Sequence, residues 1–461
     1  MYKIKILNFE KKYLLDELIK IFLRPDQYVL TEEEEMDVDL VFNEENFSEK
    51  RTIYRQIYDK LSVLTGKQPE WGILTGIRPV KLCGELYENL QDVDLTLRKD
   101  VDLTLRILKE EYYISEEKAQ LIMDTYLHQK DFCGMAPEKS AGIYIGIPFC
   151  PTRCVYCSFA SNQVPDIEIT KYLTALHKEI EYTGRRMKEC GLTAETIYIG
   201  GGTPTTLSAR QLAELIKQIK DSFDLSQLKE FTIEAGRPDT ITEEKLAVIQ
   251  SAGIERISIN PQSMKQHTLD LIGRSHKPED ITKAFALAKK HHFQSINADV
   301  IAGLPEENAE DFLETLRELL SLAPENITVH CLAVKRASRL KDIDKDFHYK
   351  QAEIVAEMLG KGRKILEEAG YIPYYMYRQK HMAGAFENTG YCKKGKDCIY
   401  NIRIMDEHQT IIALGAGGIT KVYFPAENRL ERVPNVTNYQ EYINRIDEML
   451  DRKEKNLFME V

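Results

Sequence analysis

The alternation of apolar and polar positions divides this chain into three segments, 1–138, 139–340 and 341–461. The middle one is the most regular. Apolar runs of strand length stand at IYIGIP (143–148), TIYIG (196–200), FTIEA (231–235), RISIN (256–260), INADVIAG (296–303) and ITVHCLAV (327–334). Between them lie stretches of helical period, such as ITKYLTALHKEIEYTGRRM (169–187) and ITKAFALAKKHH (281–292). Strands and helices alternating in this way predict a parallel sheet with helical crossovers, either an open doubly wound sheet or a closed or partly closed barrel. In both architectures functional groups collect at the C-terminal ends of the strands.

The flanking segments are less periodic. MYKIKIL (1–7) and VDLVF (38–42) have strand patterns, with a helix-like stretch and the acidic turn TEEEEMD (31–37) between them, and mostly helical patterning follows to residue 138. This predicts an N-terminal α+β domain. DVDLTLR occurs at 92–98 and again at 100–106. No further copy extends the period, so it reads as a local duplication in a helical region. WGILTGIRPVKL (71–82) reads as a structural turn punctuated by Gly and Pro, with two cations, Arg78 and Lys81. Beyond the middle segment, YKQAEIVAEMLGKGRKILEEAG (349–370) predicts a long helix ended by Gly370. Strand-like YNIRIM (400–405) and QTIIALGAGG (409–418) then predict a small C-terminal lobe, with GAGG (415–418) a turn between strands or, alternatively, an anion cradle.

Composition restricts the setting. With 461 residues, 43% hydrophobic and 29% charged, the chain is long enough for two or three globular domains. No apolar run approaches the ~20 residues of a spanning helix, and the N-terminus lacks the apolar stretch of a signal peptide. A reducing, cytoplasmic location is expected. Nine cysteines, an odd number, read as scattered core thiols plus one functional cluster. The formal charge of −11 argues against a nucleic-acid partner, which would call for a basic face.

The cluster is Cys150, Cys154 and Cys157, a CxxxCxxC loop directly after the first strand of the middle segment. Structural zinc sites normally have four Cys or His ligands, usually as two pairs, and no second pair follows nearby. Three thiolates on a cubane iron–sulfur cluster leave one iron open to an exogenous ligand. A zinc site completed by a distant residue is the alternative. Cys392 and Cys398 could hold a second cluster only with further ligands, and they read as ordinary thiols. The second strand ends in GGGTPT (200–205), whose bare backbone suits amino and carboxylate groups, although three glycines also make a tight turn. Glu234, Gln262, Arg274 and Asp299 follow at successive strand ends, each a candidate site residue or a structural ion-pair partner. His330, on the sixth strand, is assigned to the core by default.

CxxxCxxC with Tyr156 before its last cysteine, followed by GGGTPT, resembles the radical S-adenosylmethionine (SAM) superfamily. YIGIPFC, GGGTPT, RISINPQS, IGRSH and DVIAGLP, in that order, are similar to the anaerobic coproporphyrinogen III oxidase family over residues 142 to about 340. GIRPVKL upstream, with YYMYRQKHMAGAFENTGY and YNIRIMDEHQTIIALGAGG downstream, resembles most the branch called coproporphyrinogen dehydrogenase HemZ. The resemblance implies an α/β fold with an incomplete (β/α)6 barrel at 139–340. It implies a [4Fe–4S] cluster on Cys150, Cys154 and Cys157, with SAM chelating the fourth iron. By the same pattern Tyr144 lies near the sulfonium, Tyr156 meets the adenine through its backbone, and Gly201, Gly202 and Thr203 contact the methionine part. Glu234, Gln262, Arg274, Asp299 and Ala333 line the cofactor or substrate side.

The implied reaction is oxygen-independent oxidative decarboxylation of coproporphyrinogen III propionates to vinyls in porphyrin and haem synthesis, through a 5′-deoxyadenosyl radical. The reducing electron donor would be a protein such as flavodoxin or ferredoxin, and the chain is expected to be a monomer. A tetracarboxylate substrate calls for cations in the pocket. Candidates are Lys335, Arg336, Arg339 and Lys380, and foremost Arg378. Two positions depart from the main branch: Phe159 stands where a further cysteine is usual, and Gly146 where His is. Haem chaperones, radical SAM methyltransferases and haem-degrading enzymes therefore remain as alternatives.

Overall fold

The structure is a computed structural model and describes all residues except 11, 32–37, 44–50, 77, 92–96, 335–338, 341–346, 348–350, 380–382 and 460–461. The first five residues of the first copy of the duplicated heptapeptide, 92–96, and most of the acidic turn fall outside the described residues. The second copy lies within the helix Leu97–Glu110.

At the N-terminus, β1 (Tyr2–Leu7) pairs in parallel with β2 (Tyr28–Thr31) on one side and β3 (Leu40–Asn43) on the other. Helices Lys12–Phe22 and Thr52–Thr65 cover this small sheet, burying Leu15, Leu18, Phe22, Ile53, Ile57 and Leu61 against Ile4 and Phe42 in a core of their own. Helices Pro79–Gln91, Leu97–Glu110 and Glu116–Phe132 instead place Cys83, Tyr87, Leu108 and Leu121 in the core of the middle segment.

The six runs read from the sequence form six consecutive parallel strands, β4 (Ser140–Ile147), β5 (Thr193–Gly201), β6 (Glu230–Glu234), β7 (Arg256–Ser258), β8 (Ser295–Ala302) and β9 (Asn326–Cys331). Helices Asp166–Glu189, Ala209–Ser222, Glu243–Ser251, Pro278–Lys290 and Ala309–Ser321 make the crossovers. Two of them start with reciprocal caps, Ser208 with Gln211 and Asn308 with Asp311. Side chains alternate between the two faces of a strand. Ile143, Ile145 and Ile147 of β4, Ile197 and Ile199 of β5, Ile233, Ile257, Ala298 and Val329 belong to the apolar core under the helices. The intervening positions are Tyr144, Tyr198, Glu234, Ser258, Asn297, Asp299, Thr328 and His330, and they form a polar inner face. His330 therefore belongs to the lumen, not to the core where its apolar neighbours in sequence suggest it should sit.

The C-terminal segment extends the same sheet at both edges. β10 (Ile372–Arg378) and β11 (Glu387–Cys392) form a hairpin whose second strand pairs antiparallel with β9. β12 (Thr410–Leu414) runs parallel to β4, and β13 (Ile419–Phe424) and β14 (Arg429–Pro434) continue antiparallel from it. The order is β10-β11-β9-β8-β7-β6-β5-β4-β12-β13-β14, with no pairing between its ends among the described residues, so the barrel is incomplete. YNIRIM is not a strand. It lies in the helix Ile399–Asp406, where Arg403 is buried in a bidentate pair with Glu195 (2.9 and 3.1 Å) and Tyr400 stacks on Tyr198 with ring centroids 4.7 Å apart. Those partners come from β5, so tertiary contacts override the alternating local pattern. GAGG is the turn between β12 and β13, and the Gly415 N–H donates to the buried carboxylate of Glu179 at 2.7 Å.

Candidate functional site

At the C-terminal end of β4 the chain enters a closed loop. Phe149 bridges Asn162, the Asn162 N–H donates to the Pro148 carbonyl at 2.9 Å, and the Cys150 N–H donates to the Asn162 carbonyl at 3.1 Å. Inside the loop the Cys157 N–H donates to the Cys154 carbonyl at 3.2 Å, which closes the turn between the second and third cysteines. Burial, opposed by the Thr203 hydroxyl 3.3 Å away and reinforced by the charges of Cys157 and Cys154, pushes the Cys150 thiol up to about 11. Burial also raises Cys157, against the Phe159 N–H. Two guanidinium groups flank the loop. Arg237 lies 3.9 Å from the Cys154 sulfur and holds the Thr152 hydroxyl at 2.7 Å, with Asp239 as its carboxylate partner. Arg274 donates to the Asn260 carbonyl at 2.8 Å and to the Tyr156 hydroxyl at 3.3 Å.

The glycine loop interlocks with this cysteine loop. The Gly202 N–H donates to the Ile147 carbonyl at 2.8 Å and the Thr203 N–H to the Phe149 carbonyl at 2.7 Å. Gly201 has φ +112°, a region that favours glycine, and a Cβ on Gly202 would fall 2.5 Å from the Phe149 carbonyl oxygen. The glycines are needed for a close backbone approach, beyond any role in turning the chain.

The inner face supplies the remaining polar groups. Tyr144 and Tyr198 are in register on adjacent strands and stack with Tyr400. The Tyr198 hydroxyl donates to Glu234 at 2.8 Å. Burial, with the charge of Asp299 adding to it, raises the Glu234 carboxyl to about 7. Burial acts the same way on Asp299, but His330 at 3.7 Å, the Asn297 amide at 2.7 Å and Thr328 outweigh it and hold that carboxyl below its usual value. Gln262 has φ +69°, is fixed by its backbone to Asp299 and Ile301, and keeps a buried side-chain oxygen with no hydrogen-bond partner among the described residues. Ala333 follows β9, half-buried between Leu332 and Val334.

The cations expected for a carboxylate-rich substrate are placed differently. Arg378 faces away from the lumen. Its guanidinium donates to the carbonyls of Leu74, Gly76 (3.5 Å) and Ala385 (2.9 Å), lies 4.7 Å from the Trp71 ring, and is 4% exposed, so it braces the 71–76 turn and cannot meet a ligand there. Arg339 is exposed, and Lys335, Arg336 and Lys380 lie outside the described residues.

The turn with Arg78 and Lys81 supplies a different group. Arg78 (3.5 Å), Lys421 of β13 (3.0 Å) and Arg432 of β14 (3.5 Å) all converge on one oxygen of Glu407. Arg78 is also an electrostatic neighbour of Tyr377, whose hydroxyl is 3.4 Å from His330. A polar path therefore runs from Asp299 through His330 and Tyr377 to this cationic rim. Sequence reasoning missed Arg237, Tyr198, His330, Tyr377 and Tyr400. One signal was available: YIG occurs at both 144–146 and 198–200, the same inward tyrosine and glycine on neighbouring strands.

Comparison with known proteins bears on the same region. The sequence model of the Radical SAM superfamily matches residues 144–319. The oxygen-independent coproporphyrinogen-III oxidase-like protein HemZ of Bacillus subtilis is 39% identical over 415 residues, 88% of this chain and 81% of its own length. The heme chaperone HemW of Haemophilus influenzae is 31% identical over 293 residues, 61% of this chain and 70% of its own. Among solved structures, coproporphyrinogen III oxidase (HemN) from Escherichia coli has a similar fold, with a TM-score of 0.56 at 21% identity over 70% of this chain and 73% of that one.

Proposed function

Starting from the fact that the chain belongs to the radical SAM superfamily, among the oxygen-independent coproporphyrinogen-III oxidase-like proteins, we propose that it oxidatively decarboxylates the propionates of coproporphyrinogen III. Members of the superfamily use a [4Fe–4S] cluster and SAM, and the residues here fit that pair. Three thiols share one closed loop with Arg237 3.9 Å from the Cys154 sulfur, and a bound metal ion itself deprotonates the thiols that coordinate it. In this reading Cys150, Cys154 and Cys157 hold the cluster. Gly201, Gly202 and Thr203 receive the methionine part of SAM against bare backbone, Gln262 offers it a buried acceptor without a partner, and Tyr144, Tyr156, Glu234, Arg274, Asp299 and Ala333 line the rest of the cofactor. When bound, cluster and SAM together supply a 5′-deoxyadenosyl radical.

The chain's own contribution is to position and to exclude water. The stack of Tyr144, Tyr198 and Tyr400 gives the inner face an aromatic lining that would help keep water from a reactive species. The observation that carries the substrate is the convergence of Arg78, Lys421 and Arg432 on a single Glu407 oxygen, three cations against one carboxylate. Such an excess suits a ligand with several carboxylates. Each of the two reacting propionates would lose one hydrogen atom from its β-carbon, one electron to an external acceptor and CO2, and a C=C bond would form between the two remaining side-chain carbons.

The test is mass spectrometry of coproporphyrinogen III incubated anaerobically with reconstituted protein, SAM and a reductant. Stepwise loss of one and then two carboxyl groups, absent for Cys154→Ala, is expected. Formation of 5′-deoxyadenosine with the tetrapyrrole mass unchanged would refute the substrate. A second reading, a haem-binding module on the same core, is favoured by the match to HemW. It predicts tight haem binding with no change in coproporphyrinogen mass.

A further inference from the structure

The end of the barrel opposite the three clustered cysteines holds a second set of metal-ligating side chains. Cys392 ends β11 opposite Asn326 at the start of β9, and the connection from Lys393 to Cys398 crosses beneath the N-terminal ends of the strands. There the Lys396 carbonyl accepts from Arg256 at 3.1 Å and from Asn326 at 2.7 Å, which fixes the backbone next to Asp397. His128 reaches this connection from the helix Glu116–Phe132, and its Nε2 contacts an Asp397 carboxylate oxygen. The ligand atoms of His128, Cys392 and Asp397 all lie within 4.8 Å of one another.

Two features set this group apart from an ordinary ion pair. The Asp397 side chain is fully buried, and its second oxygen has no hydrogen-bond partner among the described residues. A carboxylate withdrawn from water is normally paired and hydrogen-bonded on both oxygens or bound to a metal. The two cysteines of the segment also differ in their surroundings: Cys398 donates to Glu230 at 3.1 Å, whereas Cys392 is turned to Asp397 and His128. His128 retains 23% exposure, which leaves an entry path for an ion from solvent.

We propose that His128, Cys392 and Asp397 bind a zinc-type divalent cation that ties the helix Glu116–Phe132 to the floor of the barrel. One sulfur, one imidazole nitrogen and one carboxylate oxygen form a borderline-soft set of the kind zinc takes, with solvent as a fourth ligand. The site is separate from the cysteine loop at the other end of the strands, and it does not depend on the proposed reaction.

The test is elemental analysis of the full-length protein with its iron cluster assembled, after dialysis against zinc and then metal-free buffer. One zinc per chain is expected in the wild type. Cys392→Ser and His128→Gln should each bind zinc at least about tenfold more weakly, with iron content and circular dichroism unchanged. Cobalt substitution provides a second readout, a thiolate-to-cobalt charge-transfer band that Cys392→Ser alone abolishes while His128→Gln only shifts it. Absence of zinc from a folded wild type, or full zinc retention in Cys392→Ser, would overturn the proposal and leave a buried His128–Asp397 ion pair.

Discussion

Replacing Glu234 with glutamine should stabilise the cofactor-free protein in alkaline buffer and do almost nothing in acid. Glu234 ends β6 with the Tyr198 hydroxyl and the Gly201 N–H as donors and the Asp299 charge facing it. Burial first, and Asp299 after it, lift the carboxyl from 4.5 to about 7. An acid whose pKa rises on folding gives its full stabilising contribution below the unfolded value and loses it as the pH climbs to the folded one, so the window here runs from 4.5 to about 7. A shift of that size corresponds to roughly 3 kcal/mol. With an unfolding entropy of ~2.1 cal/mol/K per residue over 461 residues, it is a difference of about 3 °C if the chain unfolds as one unit. Glutamine keeps the acceptor for Tyr198 and carries no charge to lose. Scanning calorimetry of both proteins, prepared without iron, should find the variant-minus-wild-type Tm difference growing by about 3 °C between roughly pH 5 and pH 8. A difference independent of pH would mean that Glu234 ionises as an ordinary carboxyl, and the burial argument would fail.

Other perturbations probe the remaining contacts. Gly202→Ala places a methyl group 2.5 Å from the Phe149 carbonyl and should displace the cysteine loop, lowering both iron incorporation and SAM binding, as read by iron analysis and equilibrium dialysis. Glu195→Gln breaks the buried pair with Arg403 and should cost on the order of 3–5 kcal/mol in denaturant unfolding, far more than removal of any exposed ion pair. Arg78→Met or Lys421→Met should raise KM for a tetracarboxylate about tenfold while leaving the rate of 5′-deoxyadenosine formation without substrate unchanged, since each removes one charged hydrogen-bond donor from the rim.

The barrel strands could be read from the sequence because a parallel strand buried on one face and lined with polar groups on the other announces itself in few residues. Ile143, Ile145 and Ile147 around Tyr144, and Ile197 and Ile199 around Tyr198, show the period directly. The CxxxCxxC and GGGTPT loops were equally visible, since their chemistry is local. What was hidden depends on partners distant in the chain. Arg378 sits beside three tyrosines in a promising stretch, but its acceptors come from Leu74 and Gly76. The rim cations lie in three separate elements and are grouped only by Glu407. Tyr400 and Arg403 alternate with apolar residues as in a strand, and only Tyr198 and Glu195 explain why they form a helix.

The pairing of β4 with β12 has a consequence for how the protein is made. The strand that introduces the three cysteines leaves the ribosome early, yet the neighbour that covers its outer edge is not synthesised until residue 410. At ~5–20 residues per second the wait is on the order of tens of seconds. Throughout it β4 offers a row of unpaired backbone groups to any extended chain nearby. A protein cut short before residue 410 would still hold every cysteine and glycine of the site, and its fate would be association through that bare edge instead of service as a smaller enzyme.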